Sequence, residues 1–221
     1  MSAPVQIILA SNSPRRRELL ALTGWRFIVS PADIDETPNL KEQPEQYVRR
    51  LAHGKATACT YSIKGVILAA DTIVVDGNQI LGKPVDRVDA ERMLKQLRNR
   101  SHQVMTAVSL FNPATGKIAQ EIYITNVPMR NYSDEEISAY VEGGDPLDKA
   151  GAYAIQHTGF HPVENFNGCF ASVMGLPLCH VKRMAASFGL YSPDDLPERC
   201  MHLNNYDCPI FRHIESGAVI G

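Results

Sequence analysis

A chain of 221 residues, 44% hydrophobic and 21% charged, can bury most of its apolar surface without disulfides or a structural metal. A formal net charge of −2 excludes a global basic field that would hold a nucleic-acid polymer, so any anion site must be local. No apolar run approaches the ~20 residues of a membrane span, and the five scattered cysteines form no C-x-x-C pair, which predicts reduced thiols in a cytoplasmic compartment and no membrane partner.

In chain order, VQIILA (residues 5–10) is an unbroken apolar run, the pattern of a strand buried on both faces. It is too short, and too closely followed by SNSPRRR, to serve as a signal peptide. Pro14 suits the first turn of a helix, Leu19, Leu20 and Leu22 give that helix an apolar face, and Gly24 marks its stop. WRFIVS predicts a second strand, running into the acidic loop PADIDETP, and Pro44 opens a helical pattern that reaches about Thr60. GVILAADTIVVDG (residues 65–77) is the strongest strand signal, and GNQILGKP returns from it as a hairpin. VDAERMLKQLRN is an amphipathic helix, and HQVMTAVSLFN and KIAQEIYITNV are two long antiparallel strands joined at NPATG. Ser133 with Glu136 fits a capping box at the head of SDEEISAYVEGG. AGAYAIQ and NGCFASVMG predict short strands, LPLCHVKRMAASFG a closing helix, and periodicity fades from Tyr191 onward. Strands alternating with helices predict an α/β fold with a mixed sheet, as one domain over residues 1–190 and a C-terminal extension of unassigned role over 191–221.

Chemistry concentrates in a few places. ASNSPRR carries a buried strand through a polar loop into a helix start, where backbone N–H groups favour an anion. Ser11 and Ser13 add hydroxyls there, and Arg15 and Arg16 add forked cationic donors that match phosphate oxygens. The plainer reading of the same residues is a helix cap with solvated arginines. Asp71 interrupts an apolar strand, so it must leave the sheet face, sit at a strand end or be paired. Followed by Thr72, it suits a metal ligand or a general base, or else a structural carboxylate satisfying loop amides. Asp33, Asp35 and Glu36 alternate in a loop that would supply oxygen ligands to Mg²⁺ beside phosphates, or would simply be solvated. Lys55 and Lys83 are single lysines in HGKATA and LGKP. Gly77, Gly82 and Lys83 imitate a phosphate loop, but Pro84 stands where a hydroxyl and an N–H are needed, which rules that motif out. Gln156, after Asp148 and Lys149 in DKAGAYAIQ, offers both donor and acceptor to a base edge.

Taken together, ASNSPRRRELL, ADIDET, AHGKA, AADTIVV, LGKP, DKAGAYAIQ and NGCFASVMGLPL occur in an order that resembles the Maf family of nucleotide pyrophosphatases, from about Val5 to Gly189. The resemblance implies a two-lobed α/β fold around a cleft, similar to the inosine-triphosphate pyrophosphatase fold. It implies cleavage between the α and β phosphates of a nucleoside triphosphate with a divalent cation, Mg²⁺ or Mn²⁺, in a homodimer. By the same resemblance, Ser11, Ser13, Arg15 and Lys83 correspond to phosphate-binding positions, and Glu36, Lys55 and Asp71, with Lys83, to the catalytic cluster. Glu36 and Asp71 would be the metal ligands and Asp71 the proton acceptor. Arg15, Thr72 and Gln156 match the subgroup acting on dTTP and UTP rather than the one preferring 7-methyl-GTP. A non-catalytic, nucleotide-binding regulator of cell division is the alternative outside enzymes. Two stretches depart from the family pattern: NRS stands where Ser-Gly-Arg-Thr is usual, and NGCFASVMG where Asn-Gly-Ser-Tyr-Ser-Asn-Val is commoner.

Overall fold

A computed structural model describes residues 6–59 and 65–221; Val5 and Thr60, at the edges of two expected elements, lie outside the described residues. The sheet runs β2 (Phe27–Val29), β1 (Gln6–Leu9), β3 (Gly65–Asp76), β5 (Ser101–Asn112), β6 (Lys117–Pro128), with β4 (Gln79–Leu81) paired to the far end of β3. β1 is parallel to β2 and β3, while β4, β5 and β6 are antiparallel to their neighbours, giving the mixed sheet the sequence predicts.

Register explains where a cleft opens. β1 pairs β3 only as far as Leu9 with Leu68, and β4 begins pairing at Leu81 with Val74. Between those points one edge of β3 has no strand beside it among the described residues, and Asp71 and Thr72 lie in that gap. On the other edge β5 continues unbroken, with Asp71 opposite Ala107 and Thr72 opposite Thr106. Ligand sites in α/β sheets favour such crevices, where backbone pairing changes partners.

Helices cover both faces. α1 (Pro14–Ala21) buries Leu19 and Leu20, and each such burial is worth about 1.5–3 kcal/mol. α2 (Pro44–Ala58) packs Val48, Leu51, Ala52 and Ala56 onto the sheet at helical spacing. α3 (Arg87–Leu97) and α4 (Asp134–Glu142) enclose a second core around Val74 and Val104, and the Ser133–Glu136 capping box is present. α6 (Leu178–Ala186) closes the first core.

Two expectations are corrected. NGCFASVMG is no strand: it forms the short helix α5 (Phe170–Met174), ended by Gly175 at φ +106°. A short apolar run does not reveal its period, and the left-handed stop is open to glycine alone without strain. AGAYAIQ is no strand either, because Gly151 and Ala152 take φ of +70° and 61° in a tight 3-10 turn that breaks extended pairing. Gly151 also lies so close to β3 that a Cβ there would stand 2.9 Å from Val74. The extension after residue 190 is helical, forming α7 (Leu196–Asn204) and α8 (Phe211–Glu215). Leu196 and Ile214 are fully buried, Leu196 within the first core. Where the extension leaves the domain, the indole Nε1 of Trp25 donates to the Tyr191 carbonyl at 2.7 Å.

Candidate active site

The open stretch of β3 floors a cleft of about 700 Å³ lined by all nine residues to which the family resemblance gives a role: Ser11, Ser13, Arg15, Glu36, Lys55, Asp71, Thr72, Lys83 and Gln156. Strand alternation sends Asp71 and Thr72 to opposite faces of the sheet. Asp71 shares the α2 face with Ile73 and Val75, and Thr72 the α1 face with Ala70 and Val74.

On the α2 face, Asp71 is 8% exposed and sits mid-strand, so the requirement that it be paired is the one met. Lys55, in the last turn of α2, places Nζ 2.5 Å from Asp71 and 2.7 Å from Glu36. One ammonium therefore bridges two carboxylates, one inside the sheet and one in the acidic loop. The loop is fixed by α2. Tyr47 donates its hydroxyl to the Glu36 carbonyl at 2.9 Å, and Arg50 donates to the Thr37 carbonyl at 3.0 Å. Ile34 packs against Gly54, where a Cβ would approach it to 3.1 Å. Asp35 turns away into a local turn, where the Thr37 side chain first, and then the Thr37 N–H that it accepts from at 2.8 Å, hold its carboxyl below the usual range. Asp33 is exposed and lines the cleft rim.

On the α1 face, Ser13 is the helix cap, its Oγ accepting from the Arg16 N–H. Ser11 Oγ accepts from the Ser13 N–H at 3.2 Å and from Arg16 Nη1 at 3.1 Å. Both hydroxyls keep their protons free to donate into the cleft. The capping reading and the anion reading are thus compatible in geometry.

Arg16, expected beside Arg15 as a donor to phosphate, is instead spent on contacts within the protein. Its Nε donates to the Gly175 carbonyl at 2.9 Å and its Nη2 to Thr72 Oγ1 at 3.2 Å. Burial pushes its pKa down, opposed by the attraction of Asp71. The order of hydroxyls behind it is fixed. Thr106 Oγ1 donates to the Ser172 carbonyl at 2.8 Å, so Thr72, 3.0 Å away, gives its proton to Thr106 and accepts from Arg16. The Thr72 hydroxyl is wholly occupied in holding Arg16. A Cβ on Gly175 would meet Thr72 Oγ1 at 3.1 Å and Arg16 Nε at 3.2 Å, so a glycine is needed at that approach. Adjacent arginines in SPRR suggest equal roles; the tertiary contacts of one of them are what separate them.

Arg15 and Lys83 line the cleft with no ion-pair partner among the described residues, whereas Lys149 is buried between Asp145 at 3.0 Å and Asp148 at 2.6 Å. Two free cations and one neutralised one therefore line the same cleft. Gln156, half-buried on the opposite wall, has no hydrogen-bond partner for its amide among the described residues. The arrangement can receive a polyanion along Ser11, Ser13, Arg15 and Lys83, set a carboxylate beside it, and present an amide to whatever the polyanion is attached to.

No helix among the described residues is long and apolar enough to cross a membrane. The family model of Maf-like proteins matches residues 6–188. The dTTP/UTP pyrophosphatase of Geobacter sp. (strain M21) is 48% identical over 176 residues, 79% of this chain and 91% of that protein. The dTTP/UTP pyrophosphatase of Thermomicrobium roseum is 44% identical over 211 residues, covering 92% and 93%. Among solved structures, a HAM1 protein from Coxiella burnetii aligns with a TM-score of 0.42 at 17% identity, over 58% of this chain and 74% of that one.

Proposed function

The chain belongs to the Maf family, and from that membership we propose that it hydrolyses nucleoside triphosphates, dTTP and UTP foremost, to the monophosphate and pyrophosphate. The observation that carries this reading is the juxtaposition of the Glu36–Lys55–Asp71 cluster with the unpaired Arg15 and Lys83 in one cleft.

In the mechanism we favour, Ser11, Ser13 and Arg15 hold the triphosphate, Arg15 through a bidentate charged contact. Asp71 orients an attacking water and accepts its proton as the water oxygen bonds to phosphorus. Lys55 and Lys83 offset the charge that develops on the bridging oxygen and the departing pyrophosphate. Arg16, held by Thr72 and Gly175, keeps the loop from Ser11 to Ser13 in its receiving shape. Gln156 reads the base, since its donor and acceptor match the N3–H and carbonyl edge of uracil and thymine.

Glu36 and Asp71 suit a hard divalent cation, because Mg²⁺ is commonly held by one or two carboxylates together with substrate phosphates. No group of three or more His, Cys, Asp or Glu side chains that would cage a metal by itself occurs among the described residues, which fits a cation, Mg²⁺ or Mn²⁺, that arrives with the substrate. When bound, it would neutralise phosphate charge. We place the enzyme in the cytoplasm as a homodimer, acting on free nucleotides rather than on nucleic acid or at a membrane.

The test is pyrophosphate release from UTP, dTTP, CTP and 7-methyl-GTP at equal concentration with Mg²⁺. Fastest turnover of UTP or dTTP is expected. Faster turnover of 7-methyl-GTP would move the chain to the other subgroup, and binding without turnover of any of them would favour a regulator.

A further inference from the structure

Outside the cleft lining, Cys169, Cys179, Cys200 and Cys208 line one small apolar cavity of about 20 Å³ between α5, α6 and the C-terminal helices. All are free thiols. Two come from the domain and two from the extension, so the cavity is the seam along which the extension docks.

One contact ties the two cysteine-bearing segments together. The Tyr206 hydroxyl accepts from the Gly168 N–H at 3.3 Å and lies 3.1 Å from the Gly168 carbonyl, within donating distance. Its ring lies 5.4 Å from the rings of both Phe166 and Phe170. The segment bearing Cys208 is thereby seated on the segment bearing Cys169. Each of these two cysteines stands on irregular backbone: Cys169 precedes α5, and Cys208 lies in the loop between α7 and α8. Cys179 and Cys200 are fixed within helices, and Cys200 Sγ already accepts from Asn204 Nδ2 at 3.5 Å. Disulfides demand a narrow Cα separation and torsion, which loop residues reach more easily than helical ones.

We propose that Cys169 and Cys208 are an oxidisable pair, and that a small-molecule disulfide converts them to a protein disulfide fastening the extension to the domain. Cys208, the partly exposed member, loses its proton to solvent and attacks one sulfur of the oxidant, releasing one small thiol and forming a mixed disulfide. The Cys169 sulfur, its proton also passing to solvent, attacks the Cys208 sulfur and expels the second small thiol. Two protein thiols are oxidised and one external disulfide is reduced to two thiols, so electrons and protons balance. Burial raises the Cys169 thiol pKa, and it pushes Cys179 up to about 12 and Cys200 up to about 11. Cys208 is the entry point because it is partly exposed where Cys169 is buried.

The experiment uses the full-length chain, first reduced and then freed of reductant. Five titratable thiols are expected in denaturant. After incubation of the folded protein with oxidised glutathione, three should remain, the intact mass should fall by two hydrogens, and peptide mapping should join the Cys169 and Cys208 peptides. Closing a loop of this length should raise Tm by roughly 5–10 °C. Cys208→Ser, a loop substitution, should keep the Tm of the reduced protein while abolishing the cross-link and the Tm rise. A bond mapped to Cys179 and Cys200, a glutathione adduct on Cys208 that never resolves, or five thiols surviving oxidant would each overturn the proposal.

Discussion

On one wall of the cleft, built by β1, α1, α2 and β3, charged groups do the fastening: Lys55 bridges Glu36 and Asp71, and Arg16 ties Ser11, Thr72 and Gly175 together. On the facing wall, from Ala150 to Gln156, the contacts are neutral. Gly151 donates to the Gly82 carbonyl at 3.0 Å, Ala154 donates to the Tyr140 hydroxyl at 3.1 Å, and Tyr153 shares a hydrogen bond with His102 at 2.8 Å. Paired charges on the first wall hold one another in place, and removing one strands its partner at a cost of several kcal/mol, on the order of 3–5 when buried. In the proposed mechanism, the neutral contacts of the second wall position Gln156 to read the base. Reaction chemistry and base selection would then fall to different walls, and substitutions on each should fail differently.

The largest effect is expected from Asp71→Asn, which preserves shape but removes the carboxylate that accepts a proton. Turnover of UTP should fall by roughly 10²-fold or more, with the ratio of UTP to CTP rates unchanged. Near wild-type kcat in steady-state assays would remove Asp71 from the mechanism. Next, Arg15→Ala deletes a free guanidinium on the same wall. We expect kcat/KM for UTP to drop by about 10–100-fold, again equally for every base; unchanged constants would reduce SNSPRR to a helix cap.

Acid should attack the facing wall. Burial lowers the His102 pKa to about 4, and that of His180 to about 4 as well. Between that value and the unfolded value near 6.5, the unfolded chain binds more protons, so stability rises with pH there. The contribution of His102 is fully present above pH 6.5 and is lost as pH falls toward 4, amounting to up to roughly 3 kcal/mol. Thermal denaturation across pH 4.5–7 should show Tm falling on acidification, and His102→Gln should flatten that fall. An equally steep profile in the variant would mean that other groups carry it. The smallest effect on total activity should come from Gln156→Ala. UTP turnover should decline several-fold while the already poor CTP turnover barely moves, narrowing the ratio between them. A uniform loss across bases would place Gln156 with the chemistry instead of with selection.

Much of this was legible in the residues. The apolar run at β1, the long strand interrupted by Asp71, the Pro14 and Pro44 helix starts and the Ser133–Glu136 box are local signals, and they survive folding because tertiary contacts agree with them. The nine expected site residues do meet in one cleft, a convergence set by the gap in pairing along β3. What could not be read was register and direction. Alternation puts Thr72 and Asp71 on opposite faces, but no local pattern says that Thr72 meets Arg16, or that Gly175, more than 150 positions from Arg16, supplies its acceptor. The two mistaken strands have the same origin: Gly151, Ala152 and Gly175 adopt left-handed backbone because of what they pack against, and composition alone does not announce it.

Trp25 is the single tryptophan of the chain, and its indole N–H is spent on the Tyr191 carbonyl, at the hinge between the domain and its C-terminal helices. The molecule thus carries its one tryptophan fluorophore, selectively excited at the red edge of protein absorption, at the place where the extension would part from the body. Release of that carbonyl would hand the indole to water and shift its emission to the red. Emission from this one ring therefore reports docking of the extension without any label, separately from events in the cleft.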